Sequence, residues 1–419
     1  MERWPPQSYL KEARRRRVPE ADAQACLSEA HQVQLLGLPA ILSLEHLAQL
    51  SGVGRAFLER IVHREAGTAA YRSFNMKKRG SVRGYRRIHV PHPALRRVQS
   101  WLVKHLLHPI RPHSCAYGYV KGLKDPIVNC ARLHCGASWL VRMDIEEFFH
   151  SISEVEVFRF FSSLGYCALV SFELARLCTW DHEPNQVDGT STQARSVRRI
   201  VRRARGVGPG ANALWPLARS RKRYLDGSRW LREPGSARGP YGGLRIGSLP
   251  QGAPTSPMLA NLIFSDIDMA LMDLADSMGF CYNRYADDLF FSAASATRTK
   301  VQSLRRAVSN ALRVKRLRLA SAKTHVSPPG ARKVVLGLLV DGDHPRLTRE
   351  TRASIRQHIH SIGRHPELHR GRRNFSSVWA LIQHVRGLVG FAASVQPALG
   401  EKYNAQLALA LQRHRLDVS

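Results

Sequence analysis

Apolar residues recur along this chain with two different periods, and the changes of period mark its elements. From Gln24 to about Val62, Leu35, Leu36, Leu42, Leu44, Leu47, Leu50, Leu58 and Ile61 fall mostly three or four residues apart, interrupted by Gly52 and Gly54. That spacing predicts short helices separated by turns. Residues 71–91, YRSFNMKKRGSVRGYRRIHVP, change to two strand-like segments joined by a basic, glycine-bearing turn. Helical spacing returns from Leu95 to Leu107 through Val98, Trp101, Leu102 and Leu106. Two short apolar strands that carry acids follow. One is WLVRMDI at 139–145, with Asp144, running into a helical EEFFHSISEVEVFRFFSSL; the other is GFCYNRYADDLFFS at 279–292, with Asp287 and Asp288 at a tight turn. The C-terminal 75 residues read as helices, one striped by Ile355, Ile359 and Ile362, the next by Val378, Leu381, Ile382, Val385, Leu388 and Val389.

At 419 residues, with 44% hydrophobic and 23% charged positions, the chain has the composition of a globular protein of two or three packed regions. A largely disordered tail and a disulfide scaffold are both excluded. Charge changes the picture most. Lys and Arg number 64 against 32 Asp and Glu, a formal net charge of +32. Such an excess weakens the compact state by self-repulsion and points to a polyanionic partner, nucleic acid first. The seven cysteines are scattered without a CxxC pair, so reduced thiols are expected. His113, Cys115, His134 and Cys135 fit no standard zinc spacing and read as buried small residues and loop histidines. MERWPPQSYLKEARRRR has no apolar stretch after its charges, and no run of 18 apolar residues occurs, so a cytoplasmic protein without a membrane partner is expected.

In a chain with twice as many bases as acids, three carboxylates at the ends of apolar strands are costly to bury unless a cation compensates them. Any one alone reads as a helix cap or an ion pair. Together, a pair at a hairpin tip and a third on a neighbouring strand could converge where hard divalent cations find oxygen ligands. Two Mg²⁺ ions held in this way activate an attacking hydroxyl and stabilise a leaving pyrophosphate, which is the chemistry of nucleotidyl transfer. Between the acid strands lies LPQGAPTSPMLANLIFSDID at 249–268, where Gly252 permits close backbone approach and a helix starts near Ser256 and Pro257.

These segments, in this order, resemble a reverse transcriptase. RMDIEEFFHSI resembles the motif bearing the first metal-binding aspartate, LPQGAPTSP the template and nucleotide motif, RYADDLFFS the paired-aspartate motif, and LASAKTHV the motif that brings a lysine to the nucleotide. Within that family the likeness is to the retron class, through ILSLEHLAQLSGV, the 71–91 segment, AYGYVKG, GFAASVQPALGEKY and the QGxxxSP form at 251–257. Two departures stand out. The NAxxH element reads CysAlaArgLeuHis at 130–134, with Asn129 one place early, and the VTG element reads Val335-Leu336-Gly337.

The resemblance implies an α+β right-hand polymerase. The residue pattern gives a basic mobile arm at 1–23 and an N-terminal helical region at 24–69, and the resemblance places fingers at 70–140, a palm at 141–344 and a helical thumb at 345–419. By residue, Asp144, Asp287 and Asp288 would be metal ligands and catalytic groups, with the Ile145 carbonyl a further ligand. Phe149 would exclude the ribose 2′-hydroxyl, Lys78 and Arg86 would grip the triphosphate, Gln251 would lie beside the nucleotide, and Lys323 would be the proton donor for pyrophosphate. Two Mg²⁺ ions, with Mn²⁺ as the alternative, are the implied cofactors. The implied partners are deoxynucleoside triphosphates, a cognate structured non-coding RNA, its branched RNA–DNA product and an accessory effector protein, with phage defence as the setting. Other bacterial reverse transcriptases, group II intron-like or abortive-infection, and a non-catalytic RNA-binding scaffold are the alternatives. The family does not account for an insertion at about 184–245. From Thr192 to Pro240 it holds 13 Arg or Lys against Asp226 and Glu233, and RSVRRIVRRAR at 195–205 has the pattern of a basic amphipathic helix, which can coat an RNA backbone, dock on a protein or touch a membrane; phosphate binding is the leading reading and a disordered basic loop the alternative.

Overall fold

The computed structural model describes residues 6–15, 18–65, 69–77, 85–181, 246–315, 317–414 and 416. Lys78 and the basic insertion, including the helix expected at 195–205, lie outside the described residues. In chain order the first elements are α1 (Pro6–Arg15), α2 (Glu20–Leu35), α3 (Leu44–Ser51), α4 (Arg55–His63), β1 (Tyr71–Lys77), β2 (Tyr85–Pro91), α5 (Pro93–Leu102) and α6 (Pro126–Arg132). Next come β3 (Trp139–Asp144), α7 (Phe148–Ser151), α8 (Glu154–Ser163), α9 (Ala168–Cys178), α10 (Ser256–Ile263), α11 (Ser265–Ser277), β4 (Cys281–Tyr285), β5 (Asp288–Ala293) and α12 (Arg298–Val314). The remainder is β6 (His325–Ser327), β7 (Val334–Val335), β8 (Leu338–Leu339), β9 (Arg346–Leu347), α13 (Arg349–Arg364), α14 (Pro366–Arg372), α15 (Val378–Val395) and α16 (Pro397–Gln412). The fold is mixed α+β. It divides into two compact units, Met1–His113 with Glu146–Ile267 and Lys315–Leu317, and Ser114–Ile145 with Asp268–Val314 and Arg318–Ser419.

In the first unit β1 and β2 form an antiparallel hairpin in which Tyr71 lies opposite Pro91 and Lys77 opposite Tyr85. Residues 1–23, expected as a mobile arm, include α1 and the start of α2, because Ala13 and Ala23 are buried and Arg14 pairs with Glu20 at 3.0 Å. The single helix expected after Asp144 is two. Ser153 breaks it by capping α8, its hydroxyl accepting from the Glu156 N–H while the Glu156 carboxylate accepts from the Ser153 N–H. Glu154, fully buried, receives Arg64 at 2.8 Å, Arg176 at 2.7 Å and the Gly247 N–H at 3.0 Å. Burial pushes its carboxyl up, but the two guanidinium charges outweigh this and hold it below the usual carboxylate range. Ser248 exchanges backbone hydrogen bonds with Trp180 at 2.9 and 3.0 Å, so the chain re-enters the fold beside the point where it left.

The second unit is built on a four-stranded antiparallel sheet of order β4-β5-β3-β6. Leu289, Phe290 and Phe291 are all completely buried, the continuous apolar run of a strand covered on both faces. Val335-Leu336-Gly337 turns β7 into β8 with positive φ at Leu336 and Gly337, the backbone that a two-residue hairpin turn requires. Both C-terminal stripes reach one core: Ile355, Ile359 and Ile362 of α13 pack with Leu381, Ile382, Val385 and Val389 of α15. Among the described residues α15 alone is long and apolar enough to cross a membrane by length and composition, and those four side chains bury one of its faces in this core.

Candidate active site

The acids predicted to converge do so through strand register. Asp144, the last residue of β3, lies directly opposite Asp288, the first of β5, and Asp287 sits in the two-residue turn between β4 and β5. The Ile145 N–H donates to the Asp287 carbonyl at 3.0 Å, tying the end of β3 to that turn. Each of the two opposed carboxylates carries a base. Lys323, on a short 3₁₀ turn, reaches both oxygens of Asp144 at 2.7 and 2.8 Å, and the Ala320 N–H donates to the Asp144 carbonyl at 2.7 Å. Arg142, two residues before Asp144 on the same face of β3, donates Nε and Nη2 to Asp288 at 3.0 and 3.2 Å. Asp288 is nevertheless pushed above the usual carboxylate range, by burial first and by the nearby charges of Asp287 and Asp144, against the pull of Arg142.

The turn is held from below by a buried ion pair. Arg284 and Asp268 are both fully buried and joined at 2.9 and 2.6 Å, and Tyr282 donates its hydroxyl to the same carboxylate at 2.8 Å. Arg284 Nη1 also donates to the Ala286 carbonyl at 2.9 Å, fixing the residue whose φ of +57° makes the turn tight. Alongside runs the AYGYVKG stretch, where the Tyr117 N–H donates to the Arg284 carbonyl at 2.8 Å. A Cβ on Gly118 would stand 2.7 Å from the Ala286 backbone nitrogen, so only glycine lets the two segments approach.

The other predicted residues lie in the first unit. Arg86 is exposed on β2 opposite Met76. The Gln251 carbonyl accepts from the His89 N–H of β2 at 2.8 Å, and Gly252, at φ +122°, presses its α-carbon against the His89 backbone. Phe148 and Phe149 are adjacent on α7, and their burial separates them: Phe148 is buried against Phe264, with ring centroids 5.5 Å apart, while Phe149 stays half-buried.

The family described as reverse transcriptase (RNA-dependent DNA polymerase) matches residues 241–338, the span that holds Gln251, Asp287, Asp288 and Lys323. The retron Ec86 reverse transcriptase of Escherichia coli is 27% identical over 360 residues, covering 86% of this chain and 87% of its own length. The retron Mx162 reverse transcriptase of Myxococcus xanthus is 28% identical over 405 residues, covering 92% of this chain and 71% of its own. The chain belongs to the retron reverse transcriptases. It is an RNA-directed DNA polymerase. Among solved structures, telomerase from Candida albicans in complex with a fragment of telomeric RNA aligns with a TM-score of 0.37 at 11% identity, over 82% of this chain and 56% of that one.

Reverse transcriptases generally use a divalent metal ion. The donors present suit one: two opposed carboxylates and an adjacent third, with Asp288 pushed up by burial first and by the charges of Asp287 and Asp144 after it. Among the described residues no group of three or more His, Cys, Asp or Glu is set to hold a metal ion, and Lys323 and Arg142 pair with Asp144 and Asp288.

Sequence reasoning passed over Arg284, Asp268, Asn283 and Ser292. Arg284 stood inside the quoted RYADD motif, but its role depends on an acid 16 residues earlier whose burial no local pattern reveals. His134, in the altered CysAlaArgLeuHis element, is completely buried between the Ser292 hydroxyl at 2.7 Å and the Asn283 amide oxygen at 2.8 Å, and burial pushes it down to about 4. Asn283 also donates to the Cys130 carbonyl at 2.9 Å, so this element latches α6 to the acid-bearing hairpin.

Proposed function

We propose that this reverse transcriptase copies part of a cognate structured non-coding RNA into DNA by two-metal nucleotidyl transfer, using a right-hand arrangement of fingers, palm and thumb. The observation that supports it most is the register that sets Asp144 against Asp288 with Asp287 in the adjoining turn. Asp144, Asp287, Asp288 and the Ile145 carbonyl are the groups that would hold two Mg²⁺ ions. When bound, those ions supply the charge that favours ionisation of the attacking hydroxyl and offsets charge on the leaving pyrophosphate.

The chain's own residues do the rest. Lys323, paired with Asp144 in this structure, is the group that protonates the departing pyrophosphate. Lys78 and Arg86 grip the triphosphate through charge-assisted hydrogen bonds, Gln251 contacts the nucleotide, and Phe149, the aromatic that α7 leaves accessible, rejects a 2′-hydroxyl. Priming from a guanosine 2′-hydroxyl of the RNA gives a branched RNA–DNA product that acts, with an accessory effector protein, in cytoplasmic defence against phage. The insertion at 184–245 adds phosphate contacts to the cognate RNA.

Asp287→Asn tests the metal reading, because it removes charge at nearly constant volume. Primer extension is expected to fall by at least about 10³-fold, the scale of losing a principal electrostatic element of a site, with RNA binding by filter retention unchanged. Retained synthesis overturns the assignment.

A further inference from the structure

One charged groove adjoins this machinery, its lining including Leu319, Ser321 and Thr324 of the LASAKTHV segment but not Lys323. Helix α12 buries Val301, Leu304, Val308 and Leu312, and its adjoining face lines an open groove of about 960 Å³. Arg305, Arg306 and Arg313 of α12 and Arg318 of the following segment surround it, with Ser309 and Asn310 between them, and no acid lines it. All four arginines are exposed. Among the described residues none of the four pairs with a carboxylate, whereas the solvent-accessible Arg14, Arg55, Arg142, Arg332 and Arg370 elsewhere in the chain each do. Arg305 and Arg313 are eight residues apart, about 12 Å along the helix, a span that reaches more than one phosphate of a nucleic-acid strand.

We infer that this groove is a second nucleic-acid site, which holds the phosphate backbone of a helical stem of RNA away from the reacting end. Three features select that occupant. Four unpaired guanidinium groups concentrated in one concavity match a polyanion, since guanidinium forks recognise phosphate oxygens directly. A protein partner would need an apolar or aromatic centre, and Leu319 is the single apolar residue of the lining. A single strand would need aromatic platforms for its bases, and none lines the groove, whereas hydroxyl and amide side chains beside arginines suit the 2′-hydroxyls and phosphates of an A-form stem. The groove also connects to the carboxylate site through the chain itself: Leu319 bridges to Ile145, and Ala320 hydrogen-bonds Asp144. RNA held there is therefore fixed relative to the acid-bearing strand. The inference draws only the presence of RNA from the proposed function.

The test uses the full chain with Arg305, Arg306 and Arg313 all changed to Gln, and a second variant with all three changed to Lys. Binding of a fluorescein-labelled 12-base-pair RNA hairpin, and of the DNA hairpin of the same sequence, is followed by anisotropy over a series of KCl concentrations. The Gln variant is expected to bind the RNA hairpin at least roughly tenfold more weakly at low salt, and to flatten log K against log salt by about 0.9 for every phosphate that the protein no longer neutralises. The Lys variant is expected to keep most of the slope, and the DNA hairpin to change little. Unchanged RNA affinity and slope in the Gln variant overturn the site and leave an acidic protein as its occupant; an equal loss on both hairpins overturns the RNA assignment. Primer extension on a short primed homopolymer is expected to be unaltered, and it reports separately on the polymerase reading.

Discussion

Each unit of this enzyme contains carboxylate charge countered by two bases, with opposite consequences. Glu154 is fully buried, and the arginines beside it, Arg64 and Arg176, are only 7% and 9% exposed. At the end of the acid-bearing sheet, Asp144 and Asp288 are also largely covered, but Lys323 and Arg142 are 58% and 46% exposed. A buried base cannot leave its acid without stranding a charge in a medium of low polarity. An exposed base can withdraw into water and yield its acid to another cation. The first arrangement therefore fastens α4, α8 and α9 to the strand-like segment after the insertion, and the second keeps a charge site exchangeable. Whether the counter-ion can be solvated, rather than the acid alone, separates Glu154 from Asp144 and Asp288, the acids proposed as metal ligands.

Glu154→Gln probes the contrast most strongly. It leaves two buried guanidinium groups uncompensated, and unfolding free energy is expected to drop by about 3–5 kcal/mol, read from urea midpoints. A midpoint unmoved from wild type would put Glu154 in the same exchangeable class as Asp144.

Gly118→Ala acts on the other side of the comparison without touching a charge. Its Cβ meets the Ala286 backbone, so the turn carrying Asp287 must shift, and a displacement of this kind is expected to slow primer extension about 100-fold while binding of RNA persists. Gly371→Ala, on an open helix surface with nothing within 4 Å, is the control and should leave extension unchanged.

Phe149→Ala is expected to raise ribonucleotide incorporation relative to deoxynucleotide by roughly tenfold, about 1.4 kcal/mol, in single-nucleotide assays. Unaltered selectivity would return Phe149 to a packing role like that of Phe148.

The smallest effect on stability belongs to Arg142→Gln. Loss of a half-exposed pair should change unfolding free energy by less than about 1 kcal/mol, yet lower the Mg²⁺ concentration that half-saturates primer extension, because a competitor for Asp288 is gone. A rise in that concentration would mean that Arg142 assists the metal site.

Much of this architecture was legible in the chain. The stripes at Ile355, Ile359 and Ile362 and at Val378 to Val389 became α13 and α15, because a face of period 3.6 can bury itself in only one way. The strands at 71–91, 139–145 and 279–292 appeared where the period shortened, and their acids came with them. The break at Ser153 was also written locally, in a serine three residues before a glutamate, but the apolar pattern on both sides hid it.

Other features depended on residues far apart in sequence. The order of residues determined that three aspartates, a lysine and a basic surface would be available, and that their strands and helices would form. Only the tertiary structure decided that Asp144 faces Asp288 across 144 positions of chain, that Lys323 and Arg142 cover them, that Arg64 and Arg176 close on Glu154, and that Phe148 rather than Phe149 turns inward. The physical reason is range. Helix and strand periods are imposed by neighbours within a few residues, whereas strand register and the solvation of a counter-ion are set by whatever the completed fold brings alongside, so the charges can be counted in the sequence but their freedom to exchange exists only in the folded protein.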